Sequence, residues 1–465
     1  MKRLLLLCTF VLAGCAVTRV PPPPPEAAPA AFKEDTLWRH ADVHAAPVDE
    51  HWWTMFHDPA LDALEAQLVV GNANLQAVAA QVASARAALA ASGAALLPTL
   101  SAGLSASRGQ NAVTSSVAST AQPPSNTVSL STSVSWELDL WGRLSMARDQ
   151  ARATLQASAD DLAAARLSAQ ATLAQTYFAL RTAELQQALL ARTVEAYERS
   201  LTLTTARYRQ GVAQRSDVLQ ARTQLQSARA QQAEAVAQRA QAEHALAVLL
   251  GTPPSTLTVT PTAALPDAPA LPPLLPGELL ERRPDIAAAR QRVVAAYAQI
   301  GVADAAFFPA LTLSASGGWR AHGLADLTSA PHLFWSLGPG LVQSLLDGGQ
   351  RRLASDQARA SADQLTATYR QTVLTALQEV EDNLALADQL HREVQWQADA
   401  LAAARETVGL TEAQYRAGTV SYLNVATAQA TALSAENTLL SLRNRELVAL
   451  DTLLKNLGGR WAVVS

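Results

Sequence analysis

Cysteine is nearly absent from this chain, with Cys8 and Cys15 the two among 465 residues. Cys8 falls in a segment expected to be removed, so the mature chain has no thiol pair for a disulfide or a cysteine-based metal site. Dense blocks of Lys or Arg are missing too. Thirty-six basic against forty acidic residues leave a formal charge of −4 and a pI near 6.1, so no nucleic-acid partner is expected. Beyond the N-terminus no apolar run reaches about eighteen residues, which excludes an ordinary transmembrane helix. A Gly-x-Ser-x-Gly turn, a phosphate loop and paired catalytic carboxylates are also lacking. Asp160-Asp161 and Glu381-Asp382 sit in helical stretches, where a solvated face or a helix contact is the ordinary role. His40 and His44 have the i, i+4 spacing of a helical metal pair, but no Glu follows His40 and no acidic third ligand is evident. No metal, cofactor or catalytic residue is therefore expected, and an enzyme is the weaker reading.

The N-terminus has the form of a targeting segment: Lys2-Arg3, an apolar run from Leu4 to Leu12, then Leu12-Ala13-Gly14-Cys15. Leu-Ala-Gly-Cys resembles a bacterial lipobox, which implies cleavage before Cys15 and lipidation of that residue. A plain signal peptide is the alternative. Ala16 stands where an inner-membrane retention signal would place Asp, which favours the outer membrane. Pro21 to Pro25 and the Ala/Pro stretch after them read as a stiff, poorly ordered tether. The aromatic residues of His51-Trp52-Trp53-Thr54-Met55-Phe56-His57-Asp58-Pro59 are expected to pack the N-terminal segment onto the helical body, with anchoring at the membrane interface the alternative.

The chain is also duplicated. Asp149-Gln150-Ala151-Arg152-Ala153 returns as Asp356-Gln357-Ala358-Arg359-Ala360, a shift of 356 − 149 = 207. The same shift carries Tyr208-Arg209-Gln210-Gly211 onto Tyr415-Arg416-Ala417-Gly418, Asp217 onto Asn424 and Gly251 onto Gly458. Upstream, Pro98 aligns with Pro309 at a shift of 309 − 98 = 211, which puts four extra residues in the first copy between Pro98 and Gly142. A sustained repeat of this size means one structural unit in tandem. The expected organisation is a signal peptide over 1–14, a lipid-anchored tether over 15–50, repeat 1 over 51–251, a Pro-rich linker over 252–276, repeat 2 over 277–458 and a tail over 459–465.

Within each copy the texture alternates between helix and strand. Leu64 to Leu97 reads as one helix, stopped by Pro98. Leu144 to Gln210 contains neither Gly nor Pro and reads as a helix of roughly 100 Å. Gly211 breaks it, and Asp217 to Leu250 returns as a shorter helix. Alanine saturates these segments, as suits helices packed at close axial distance. Two short helices laid end to end match one long one, which predicts a tall wall of helices. Between them, Val128 to Leu138 keeps a strict period of two, with Val128, Leu130, Val134 and Trp136 on one face and Ser or Glu on the other. Leu100, Ala102 and Leu104 mark its hairpin partner. Leu311, Leu313 and Ala315, followed by Leu333 to Leu345, repeat the pattern. Eleven residues suffice for a tilted strand to cross a bilayer. A soluble sandwich would show the same alternation, but long helices on both sides argue against it.

Four strands per chain leave two unpaired edges, which lipid does not tolerate, so closure requires two or more chains around a common lumen. The Gly211 and Gly418 turns then fall at the far end of the helices, about 100 Å from the strands.

The lipobox, the stretch from Trp52-Trp53 to Leu61-Asp62, Asn72-Ala73-Asn74-Leu75, Leu138-Asp139-Leu140-Trp141-Gly142-Arg143, Arg283-Pro284-Asp285-Ile286, Phe308-Pro309 and the two Tyr-Arg-x-Gly turns resemble the outer-membrane factor (TolC-like) family, within it the NodT-type lipoproteins. The resemblance covers essentially all of the mature chain, in order. It implies an α+β membrane protein: a homotrimer with a shared twelve-stranded transmembrane β-barrel in the outer-membrane lipid and a twelve-helix periplasmic α-barrel. Such a trimer is the exit duct of a tripartite efflux pump, joined by a periplasmic membrane-fusion adaptor to an inner-membrane pump, most often of the RND type. Small molecules are the expected cargo, with protein or peptide secretion the alternative. The resemblance also puts a periplasmic gate just after the second turn, where many members carry Asp and, three residues on, Arg. Thr427 and Ala430 stand there instead. The expected gate or tip residues are Tyr208, Gly211, Arg215 and Asp217 with Tyr415, Gly418, Leu423 and Asn424, Leu423 supplying an apolar constriction. Ordinary turn residues on a solvated tip remain the alternative. A coiled-coil or adaptor protein is a further rival, but adaptors carry a single helical hairpin rather than a duplicated unit.

Overall fold

The computed structural model describes residues 19–34, 51–110, 124–262, 264–269, 282–325 and 327–458. Cys15 with the signal segment, and His40 and His44, lie outside these. A short 3₁₀ turn, Trp52–Phe56, leads into α1 (Pro59–Gly71) and α2 (Ala73–Ala94), then β1 (Thr99–Gly109), β2 (Ser125–Leu138), α3 (Arg143–Arg209) and α4 (Arg215–Leu249). The second half runs α5 (Pro284–Ala305), β3 (Ala310–Ala321), β4 (Leu333–Val342), α6 (Gln350–Ala417) and α7 (Tyr422–Asn456). These elements fall into two compact units. One holds the strands with the helix segments 81–158 and 289–369; the other holds 25–80, 159–288 and 370–465.

The two halves repeat element by element. Helices α2 and α5 both span 22 residues at a shift of 284 − 73 = 211, and α4 and α7 both span 35 at 422 − 215 = 207. The strand registers obey the same pair of shifts. Leu100 pairs Val134 in the first hairpin and Leu311 pairs Leu341 in the second, 311 − 100 = 211 and 341 − 134 = 207. The four extra residues fall in the β1–β2 connection, since 125 − 109 = 16 against 333 − 321 = 12 for β3–β4.

All four strands form one antiparallel sheet in the order β1-β2-β3-β4. The first long helix begins at a sharp corner after β2. Gly142 takes φ 77°, Asp139 accepts from the Leu144 and Ser145 amides at 2.9 and 2.8 Å, and Arg143 grips Glu137 through two bonds of 2.8 and 2.7 Å. Trp141 donates to the Pro309 carbonyl at 2.7 Å and stacks on Phe308 at 4.9 Å, tying the two copies together at the foot of the sheet. The Leu-Asp-Leu-Trp-Gly-Arg run is thus a strand-to-helix corner.

Two expectations are corrected. The helix read over Leu64 to Leu97 is two helices, ending near Ala94 and broken at Asn72, whose backbone is extended (ψ 116°). The Asn72 side chain caps α2 by accepting from the Leu75 amide at 3.0 Å and donates to the Leu249 carbonyl at 2.7 Å. The backbones cross closely here. A Cβ on Gly251 would lie 2.0 Å from the Gly71 carbonyl oxygen, and one on Gly71 would lie 2.2 Å from that of Leu250. The second correction concerns the tether. Its described part, 19–34, lies along the helices: Arg19 pairs with Asp149 at 3.1 Å, and the Lys33 and Glu34 amides donate to Glu381 at 2.8 and 2.9 Å. Phe32 is buried in the core.

The core of the helical unit gathers Trp52, Trp53 and Phe56 with Leu61, Leu68, Tyr177, Phe178 and Leu453, and Phe56 meets Phe178 at 4.9 Å. The aromatic cluster therefore pins α1 to the helices, as its composition suggests. Beside it, Arg181 and Arg239 bind the Thr260 and Val259 carbonyls at 2.8 and 2.9 Å, while Glu184 and Glu243 take the Thr262 and Val259 amides at 3.1 and 2.9 Å. Four charged side chains thereby hold the inter-repeat linker as a missing strand neighbour would.

The glycine crossing yields a graded expectation. Gly211→Ala should cost about 1–2 kcal/mol, because its φ of 74° is left-handed and nothing lies within 4 Å of the added methyl. Gly251→Ala carries the same conformational cost plus the clash with Gly71, and should lower the melting temperature distinctly more in a side-by-side calorimetric comparison. Equal shifts would mean the crossing yields freely.

Candidate functional site

The sheet separates its two faces sharply. Leu104, Leu130, Trp319 and Leu333 form one cross-strand row, and Leu100, Val134, Ala315 and Leu337 another. Val128 and Trp136 lie on this same face by strand alternation. The opposite face carries the row Ser101, Ser133, Ser316 and Ser336, with hydroxyls bridging at 2.7 Å between Ser101 and Ser133 and 2.8 Å between Ser316 and Ser336. Among the described residues, the outer strands β1 and β4 each leave one edge without a strand neighbour. Trp136 differs from its face-mates: its indole donates to the Leu96 carbonyl at 2.9 Å, and Gln343, 207 residues on, donates to the Phe307 carbonyl at 3.0 Å. These contacts fasten the strands to the helix ends and bring β4 to a stop at Val342.

The helix turns belong to the other unit and are built alike. Tyr208 and Tyr415 carbonyls accept from the Gly211 and Gly418 amides at 2.9 and 3.0 Å, and both glycines take left-handed φ, 74° and 81°. This is the glycine-terminated helix end. The next helix in the first copy starts on a capping box, and in the second on a side-chain bond that caps no backbone amide. Asp217 accepts from the Gln214 amide at 3.2 Å, and Asn424 accepts from the Ser421 hydroxyl at 3.3 Å. Asp217 and Asn424 therefore have a local structural role at the turns. Arg215 is exposed on the first turn.

Side-chain surroundings break the symmetry. Tyr208 is exposed, whereas Tyr415 is buried, edge-on to Tyr422 at 5.6 Å. The Arg207 guanidinium lies 4.6 Å over the Tyr415 ring and donates to its carbonyl at 2.6 Å. Tyr422 donates to Gln224 at 3.0 Å, and Gln224 donates to the Ala426 carbonyl at 2.8 Å, which joins α4 to α7. Burial foremost, then the nearby Tyr197 and Tyr415 hydroxyls, pushes the Tyr422 hydroxyl up to about 12, so it remains a donor at neutral pH. Arg207, Gln224 and Tyr422 were not among the expected site residues; Tyr422 replaces the repeat partner Arg215, a mismatch visible in the aligned copies.

Leu423 stands exposed on α7 and lines a groove of 410 Å³ with Thr407, Thr411, Thr427 and Thr431. Thr427, Thr431 and Thr438 each donate to the carbonyl four residues back, at 2.9, 3.0 and 2.9 Å. Hydroxyls satisfied within their own helix leave a neutral face that can be covered or wetted at little cost. The i, i+4 step from Thr427 to Thr431 and the i, i+7 step from Thr431 to Thr438 are readable in the sequence once α7 is placed. Among the described residues no group of three or more His, Cys, Asp or Glu could hold a metal, and no helix is long and apolar enough to cross a membrane.

The outer membrane efflux protein model matches this chain twice, over residues 65–252 and 275–459. The chain belongs to that family. The chain is 33% identical to the pyoverdine export outer membrane protein OpmQ of Pseudomonas aeruginosa, across 99% of this chain and 97% of the relative. It is 31% identical to the toluene efflux pump outer membrane protein TtgC of Pseudomonas putida, across 98% and 95%. The solved outer-membrane channel OprN superposes with a TM-score of 0.89 at 30% identity, covering 96% of this chain and all of OprN. The fold is the TolC-like one, and the protein is an outer-membrane efflux channel. Members of this family are ducts rather than enzymes; they work with adaptor and inner-membrane pump components, and TolC-like channels are trimers with a periplasmic helical barrel.

Proposed function

We propose that this chain forms a homotrimeric exit duct, lipidated at Cys15, that passes small molecules delivered by an RND-type inner-membrane pump through a periplasmic adaptor. The two-faced sheet with unpaired outer edges carries this reading. Three copies close the edges into twelve strands, with Val128, Leu130, Val134 and Trp136 toward lipid and the serine rows toward the lumen. The repeat boundaries expected from sequence, 51–251 and 277–458, are the units that supply one hairpin each. Small-molecule cargo is favoured by relatives named for pyoverdine and toluene. The duct itself performs no chemistry.

The helix turns are the docking end, with Tyr208, Gly211, Arg215 and Asp217 on one and Tyr415, Gly418, Leu423 and Asn424 on the other. Leu423 closes the mouth by apolar contact among the three copies, above a ring of neutral hydroxyls, so closure there needs no carboxylate. Leu423→Ala is expected to raise single-channel conductance in planar bilayers; unchanged conductance removes Leu423 from the gate. The partner assignment is tested by placing single cysteines at Gln210 and Ala417, crosslinking in cells and identifying what is caught by mass spectrometry. An adaptor paired with a proton-driven pump supports small-molecule efflux, whereas an ABC-type exporter with its adaptor makes protein or peptide secretion the main role.

A further inference from the structure

Two carboxylic acids are sealed in the interior of the helical unit. Glu65, on α1, is wholly buried, and neither of its oxygens has a hydrogen-bond partner. Asp451, on α7, is also wholly buried; one oxygen accepts from Gln175 of α3 at 2.8 Å and the other has no partner. Two cations of the helical unit have other partners than Glu65. Arg181 is held by Glu184 and the Thr260 carbonyl, and Lys455, one turn past Asp451, acts on Asp451. Among the described residues no Lys, Arg or His forms an ion pair with Glu65. Asp62, one turn back on α1, adds a like charge, while Asp58 is taken up by the Tyr177 hydroxyl at 2.6 Å.

An ionised carboxylate with two unpartnered oxygens in such a site is heavily penalised. Leu64 and Leu68 around Glu65 and Leu450 and Leu453 around Asp451 belong to one buried apolar cluster, so the two acids share that interior and each raises the cost of charging the other. We propose that Glu65 is a neutral acid in the folded duct, and that with Asp451 it forms a buried proton-holding pair that makes closure of α1 onto α7 depend on pH. The helical unit is tight in acid and loosens as the surroundings turn alkaline. No partner protein or metal is needed.

The sign follows from linkage. Burial first, then Asp451 and Asp62, pushes the Glu65 carboxyl up to about 9 from its ordinary 4.5, and burial likewise holds Asp451 well above its ordinary value. Between those limits the closed state binds a proton that the opened state releases. Stability is therefore greatest in acid and is lost as pH rises toward the folded value. For one proton, the opening constant of α1 grows about tenfold per pH unit.

Native-state hydrogen exchange on the full-length trimer in detergent measures this, following the amides of Leu61 to Leu68 between pH 6 and 8 with the intrinsic pH effect divided out. The wild type is expected to open more readily as pH rises. Glu65→Gln, which mimics the protonated acid, should flatten that dependence by about tenfold per pH unit; an unchanged slope overturns the proposal. Infrared spectroscopy supplies a second reading that does not rest on one variant. A protonated-carboxyl band should be present in the wild type at pH 7, bleach on titration to pH 10, and weaken in Glu65→Gln or Asp451→Asn. Its absence from the wild type at pH 7 overturns the proposal.

Discussion

Replacing Leu130 with arginine is expected to empty the outer membrane of assembled duct. Leu130 sits in the row Leu104, Leu130, Trp319 and Leu333, the apolar face of all four strands at one level. An arginine on the lipid face of a transmembrane strand costs about 2–4 kcal/mol near the midplane. Closure repeats the change in each copy, so the cost is met three times in one barrel. The control is Ser133→Arg, one residue type changed on the opposite face, in the row Ser101, Ser133, Ser316 and Ser336. A lumen-facing arginine stays hydrated and should leave assembly intact while altering ion selectivity. Heat-modifiable trimer in outer-membrane fractions is the readout. Loss of trimer in both variants, or in neither, would refute the assignment of faces.

Arg181→Ala is expected to destabilise the helical unit by about 3 kcal/mol, the lower end of the range for breaking a buried ion pair. Arg181 is fully buried, donates to Glu184 at 2.7 Å and to the Thr260 carbonyl at 2.8 Å, and lies 4.7 Å over the Tyr177 ring. Its removal takes the donor from the Thr260 carbonyl and one cation from the buried Glu184. The upper end is not reached because Glu184 keeps Arg239 at 3.2 Å and the Thr262 amide at 3.1 Å. Arg181→Lys, which restores the charge without the fork, should recover part of the loss. Thermal unfolding in detergent gives the comparison, and an Arg181→Ala melting temperature equal to wild type would show that the clasp on the linker is dispensable.

Much of the architecture was legible because a tandem repeat is tested twice. The shifts of 207 and 211 reappear in helix lengths and strand registers, and the four-residue excess falls in a strand connection, where lengthening disturbs no pairing. The break at Asn72 is hard to read inside an Ala/Leu/Gln-rich run because its local cap on the Leu75 amide is joined to a bond with the Leu249 carbonyl, 177 residues away. The aligned copy held a clue: Pro284, the first residue of α5, stands 211 positions after Ala73, the first residue of α2. The strapping of residues 19–34 to the helices was likewise hidden, since proline-rich composition describes a chain's stiffness and not the surface it lies on.

Local rules acting over a few residues determined the helices, the strands, the glycine turns and the two-sided alternation of the sheet from the sequence alone. Phase and propensity need no partner to be read. Only the tertiary structure decided which tyrosine of the matched pair is buried, which charges clasp the linker, and that Glu65 and Asp451 share a sealed interior. Burial and pairing are set by residues far apart in the chain, and a charged side chain looks the same in sequence whether water or protein surrounds it.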